Sequence, residues 1–170
     1  MRFGGKELCT VLVCAGGGGM KRLQWEERTL KKSLSKLKDG THFSPQSKTG
    51  PFKYITSKNI KFGYLDLSKV IYISEYEHKK IFQSSPVHYG DILFTKDGAN
   101  TGNTAINILK EEFSVLSSVA ILSGKKDILD NKFLFQLLLS PIAQRKIKSE
   151  MAGQAITRLT LSQIGAFTFT

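Results

Sequence analysis

Cysteine is nearly absent from this sequence: Cys9 and Cys14 are the only two, both near the start. A pair so placed cannot staple the rest of the chain, which excludes a secreted disulfide scaffold. It also lacks further ligands nearby, so a metal pair is not indicated. No apolar run approaches the ~18 residues that a membrane span needs. Acidic side chains are few, 14 against 25 Lys+Arg, leaving a formal charge of +11. The three histidines (His42, His78, His88) are far apart and not at metal-binding spacing. At 170 residues the chain suits one domain, and a multi-domain enzyme is excluded.

Core material is plentiful. Apolar residues make up 41% of the chain, with eleven Phe and five Tyr, so a folded interior is expected rather than disorder. The charge is unevenly spread. Residues 20–61 hold eleven basic and three acidic residues, whereas residues 62–170 hold twelve and ten. Such concentration suggests a surface that faces a polyanion, against the plainer alternative of a solvated lysine-rich face.

Residues 1–19 differ in character from the rest of the chain. An apolar stretch from Cys9 to Ala15 ends in four glycines, Gly16 to Gly19, before the basic segment begins at Met20. The expectation is a non-native or flexible extension over 1–19 and a single domain over 20–170. Residues 26–36 read as a short basic helix that buries Trp25, Leu30 and Leu34 and is broken by Asp39-Gly40. Strands are expected at 53–56, 69–74, 92–94, 104–108 and 117–122. Helices are expected at 75–82 (capped by Ser74), 132–139 (capped by Asp130 or Asn131) and from Pro141 to about Glu150 behind Ser140. Gly153 would end that last helix, Thr160 would cap a brief turn over 161–164, and 167–170 looks β-like. Strands first and helices later, without βαβ alternation, give an α+β class: a mixed, twisted sheet core with flanking helices.

Catalytic signatures are missing. There is no phosphate-binding Gly-x-x-x-x-Gly-Lys-Ser/Thr loop, no Gly-x-Ser-x-Gly nucleophile elbow and no methyltransferase Asn/Asp-Pro-Pro-aromatic motif. The chain reads as non-catalytic. Two polar, glycine-bearing loops remain as working parts. One comes after the basic helix and carries Thr41 and His42; the other runs Lys96-Asp97-Gly98-Ala99-Asn100-Thr101-Gly102-Asn103. Side chains of these types reach phosphates and base edges, although the same residues also make ordinary tight turns. Lys31, Lys32, Lys36, Lys38, Lys58 and Lys61 are the candidate phosphate contacts. Asn59, Lys96, Asn100, Thr101 and Asn103 are the candidate loop contacts.

Trp25 and Leu30, Lys38-Asp39-Gly40-Thr41-His42 and Pro45 open a pattern that continues through Tyr54 to Ile60, Gly63 and Leu65-Asp66-Leu67-Ser68. It runs on through Gly90 to Gly98 with Gly102, and Leu116-Ser117-Ser118-Val119-Ala120. Phe133-Leu134, Gln144, Ile147, Gly153, Arg158-Leu159 and Ile164 close it. In order and spacing these residues resemble a target-recognition domain of type I restriction-modification specificity (S) subunits.

That resemblance implies a target-recognition-domain fold and sequence-specific binding of double-stranded DNA. It adds Arg158 to the candidate contacts. In the family, two such domains are joined by long helices, and each reads one half of a split site. The S subunit holds methyltransferase (M) subunits that use S-adenosylmethionine, and restriction (R) subunits that use ATP can join. No cofactor is expected on this chain itself. The resemblance further implies a prokaryotic, cytoplasmic protein with no membrane partner. The chain stops before the family's spacer helix, so a mainly monomeric domain reading at most one half-site is expected. An alternative from another class is a protein-interaction module that docks on a methyltransferase subunit without itself reading DNA.

Overall fold

A computed structural model describes residues 28–152 and 157–168. The expectations for residues 1–19, Trp25, Gly153 and the final two residues lie outside these. Two sheets carry the fold. The first, in the order β1-β7-β4-β5, is built from β1 (Leu34–Asp39), β4 (Ile92–Thr95), β5 (Thr104–Ile106) and β7 (Val119–Gly124), all antiparallel. The second, in the order β3-β2-β6, joins β2 (Phe52–Ile55) antiparallel to β3 (Ile71–Ile73) and parallel to β6 (Phe113–Val115). The mixed sheets and flanking helices match the expected α+β class.

Period-two alternation sorts the first sheet's side chains between two cores. Ile92 and Phe94 of β4, with Ala120 and Leu122 of β7, pack under Leu134, Leu138, Ile147 and Ile164 of the late helices. Leu93, Ala105, Val119 and Ile121 point the other way, onto Ile55, Phe113 and Val115 of the second sheet. Helix α2 (Glu75–Ser84) covers that sheet's far side through Ile81, which packs with Tyr54 and Ile73. Side chains of this kind contribute about 1.5–3 kcal/mol each when fully buried, so these two interiors hold the layers together.

The helix caps were legible locally. Asp130 accepts from the Lys132 and Phe133 amides and starts α3 (Asn131–Leu139). Ser140 accepts from the Ala143 amide and starts α4 (Pro141–Met151), with Pro141 at the first position. Thr160 and Gln163 form a reciprocal capping box on α5 (Leu161–Ala166).

The basic helix expected over 26–36 is corrected. Among the described residues of that range only α1 (Leu30–Ser33) is helical, and strand β1 begins at Leu34. The cause is a register shift in the β1–β7 ladder between Leu34 and Lys36. One extra residue there puts Leu34 and Leu37 on the same core-facing side despite their spacing of three, which mimics a helical repeat. Two smaller differences arise from short or shifted strands. Strand β6 carries no sequence signal of its own, and Ser117-Ser118 belong to a turn, so β7 starts at Val119.

Candidate nucleic-acid interface

One end of the molecule gathers most of the polar loops. Asp39 pairs with Ala120, Thr95 with Val119 and Phe94 with Thr104, so β1, β4, β5 and β7 all turn at the same edge. In the second sheet, Ile55 lies beside Val115 in a parallel register, which brings the ends of β2 and β6 together. The two sheets meet at this edge. The Gly40 amide donates to Val119 O, Thr41 N to Val115 O and Leu116 N to Ile55 O. A Cβ on Gly40 would sit 2.3 Å from the Leu116 carbonyl oxygen, so only glycine permits this junction. The loops after β1, β2 and β4 therefore emerge side by side, joined by the segment at 157–159 through Gly98 N to Thr157 O and Leu159 N to Lys96 O.

Ten of the fourteen candidate residues belong to these loops, but they differ in what their polar groups do. His42 (70% side-chain exposure) stands 3.9 Å from Asp39. Lys58 is exposed and makes no ion pair among the described residues. Lys61 is partly exposed and lies 3.8 Å from Asp66. The side-chain hydroxyl and backbone N–H of Ser68 hold the Asp66 carboxyl below its usual range, and Lys61 adds to this. Asn100 is exposed, and its side-chain amide makes no hydrogen bond among the described residues. Arg158, half exposed, has Nε 3.7 Å from Asp97 Oδ2. These five can meet a polyanion without dismantling the fold.

The others are committed inward. Asn59 is buried: its Oδ1 accepts from the Thr56 amide at 3.0 Å, and its Nδ2 donates to Asp66 O at 3.1 Å. Asn103 Nδ2 donates to Ile60 O at 3.1 Å. Thr101 Oγ1 donates to Gly98 O at 2.7 Å, and Thr41 Oγ1 accepts from the Phe43 amide. Lys96 is 2% exposed, with Nζ 3.4 Å from Asp39 Oδ1. Thr95, next to Lys96, and Ser118, whose carbonyl accepts from the Lys96 amide, carry buried hydroxyls without a hydrogen-bond partner among the described residues. The loop carrying Asn100 is rigidly backed, since Gln144 of α4 donates to Gly102 O at 3.1 Å.

The lysines of the basic segment are dispersed. Lys31 and Lys32 sit on α1, before the start of β1, and Lys125 Nζ donates to Lys32 O just beyond the end of β7. The six-residue β1 strand, rising about 3.3 Å per residue, sets them roughly 20 Å from the loop end. Lys36 is bound at 2.6 Å to Asp91, whose carboxylate also accepts from the His88 amide. Lys38 is exposed and reaches back to Ser84 O at 3.4 Å. Sequence reasoning missed the exposed aromatics Phe43, Phe62 and Tyr64 among these loops. The signal was two rings flanking a turn glycine between Lys61 and Leu65.

An α+β domain with this layering is also the fold of type I S subunits. A chain solved for the complex assembly and conformational transition of the type I R-M system superposes with a TM-score of 0.61 at 15% identity, covering 91% of this chain and 36% of that one. The HsdS subunit from Thermoanaerobacter tengcongensis gives 0.54 at 18% identity, over 85% of this chain and 32% of that one. The S subunit from M. genitalium gives 0.51 at 16%, over 84% and 33%. This chain thus spans about a third of the length of those it resembles. The model of the type I restriction modification DNA specificity domain matches residues 23–170, and the chain belongs to that family. Its role is accordingly in recognising a DNA target. No curated protein sequence matches the chain significantly. No helix among the described residues is long and apolar enough to cross a membrane.

Proposed function

We propose that this domain reads one half of a split double-stranded DNA target through its loop end, as the non-catalytic specificity component of a type I restriction-modification assembly. The observation that carries this reading is the convergence of separate loops on one edge, each presenting an exposed or partly exposed polar or cationic side chain. His42, Lys58, Lys61 and Arg158 would position the phosphates, and Asn100 would meet base edges. In this reading methylation and cleavage belong to partner M and R subunits, which use S-adenosylmethionine and ATP respectively.

Selection of the purified chain on a random duplex library, with and without a cognate methyltransferase subunit, tests the proposal. Enrichment of one short, ungapped motif is the expected result. Capture by the methyltransferase subunit with no enriched motif would instead make the domain a docking module.

A further inference from the structure

The turn Lys61-Phe62-Gly63-Tyr64 exposes two aromatic rings on a scaffold that holds them still. Phe62 is 54% exposed and Tyr64 60%, whereas Ile60, just before the turn, is fully buried. Ile60 bridges to Leu65, and the Lys61 amide donates to Tyr64 O at 2.9 Å, closing a tight hairpin. Gly63 adopts φ +97°, a conformation that a side chain would strain. Two hydrogen bonds fasten the hairpin to the neighbouring sheet: Gly63 N to Thr104 O at 2.9 Å and Asn103 Nδ2 to Ile60 O at 3.1 Å. Exposed rings on a pinned turn lose contact with a core and gain no mobility in return. They stand among Lys58, Lys61 and the Asn100 loop, on the edge assigned to DNA.

We propose that Phe62 and Tyr64 form a wedge that enters the duplex at a base step beside the half-site, unstacking it and bending the DNA. The proposal rests on the DNA-reading function of this loop end. Apolar and aromatic side chains that enter between bases offset the unstacking cost through stacking and through the added protein surface that a bent duplex meets. Lys58 and Lys61 supply the flanking phosphate contacts, and these two cations beside the rings favour DNA over an apolar protein partner.

The experiment uses the full chain and the duplex enriched by library selection, with 2-aminopurine placed at successive steps and a fluorophore pair on the two ends. The wild-type protein should raise 2-aminopurine fluorescence at one step and shorten the end-to-end distance. Phe62→Ala and Tyr64→Ala should each abolish the fluorescence rise and weaken binding about tenfold, while Phe62→Leu keeps the bend. Tyr76→Ala, on the exposed face of α2, should change nothing. Thermal melts identify any variant that fails to fold, and Phe62→Ser then replaces it. A wild-type complex with a straight, fully stacked duplex overturns the wedge and leaves DNA reading intact. Alanine variants that bend DNA like the wild type do the same. Absence of any duplex binding by the wild type overturns both.

Discussion

Lys96 Nζ lies 3.4 Å from Asp39 Oδ1, with only 2% of the lysine side chain exposed. The pair ties the last residue of β1 to the first residue after β4, two strands that are not neighbours in the sheet. A cation at the root of the loops on this edge is thereby spent on holding them.

Removing that cation leaves Asp39 with the exposed His42, 3.9 Å away, as its remaining basic neighbour among the described residues. Breaking a buried pair costs about 3–5 kcal/mol, and the partial exposure of Asp39 lowers this to about 2–3 kcal/mol for Lys96→Met. The double variant Lys96→Met with Asp39→Asn should lose less than the two single losses added. Urea unfolding measures all three.

Phosphate contacts should sort by position rather than by sequence neighbourhood. Lys58→Ala, Lys61→Ala and Arg158→Ala should each weaken binding to every duplex. Each should also flatten the salt dependence by roughly 0.9 in log–log slope. Lys31→Ala and Lys32→Ala, at the far end of β1, should leave the slope unchanged. Fluorescence anisotropy at several salt concentrations decides between the two groups.

Asn100 and Asn103 offer a matched contrast three residues apart. Asn100→Ala should relax preference at one or two base positions without altering stability, since its amide is uncommitted. Asn103→Ala removes the bond to Ile60 O and should cost about 1 kcal/mol of stability. Library selection and denaturation, run on both variants, separate the roles.

Glu77 should contribute to the acid limit of the fold. Burial pushes its carboxyl up, but the Gln46 amide, the Ser74 hydroxyl and the Ser47 amide donate to it, and the net shift is downward from 4.5. A carboxyl depressed in the folded state contributes stability above its unfolded value, and that stability drains away as pH falls through the folded value. Glu75, beside Lys79, and Asp66, beside Ser68, are depressed in the same direction. Stability should therefore decline below about pH 4.5, and Glu77→Gln should make that decline shallower. Melting temperatures measured across about pH 3–7 would show it.

The parts of the fold that sequence revealed are those decided within a few residues. Ser74, Asp130, Ser140 and Thr160 cap their own helices, so composition next to an apolar run sufficed. Strand β1 was hidden because its bulge disguises a strand as a helical spacing, and only pairing with β7 reveals it. Strand β6 is three residues long, and its parallel partner β2 lies far back in the chain. The loops of the candidate interface were legible as loops. Which of their side chains remain available was not, because Asn59, Lys96 and Asn103 are satisfied by groups that folding alone brings near.

The β1–β7 ladder also dictates an order of events during synthesis. Ser35 of β1 donates to the Gly124 carbonyl, 89 residues further along, at 2.9 Å. Strand β1 therefore cannot complete this pairing until β7, ending at Gly124, has been synthesised. Pairings this remote make folding slow and expose strand edges meanwhile. Each loop between β1 and β7 is emitted before the ladder can close around it. Exchanging a loop within that span leaves the paired residues of β1 and β7 themselves unchanged, so new loops can be tried on the same ladder.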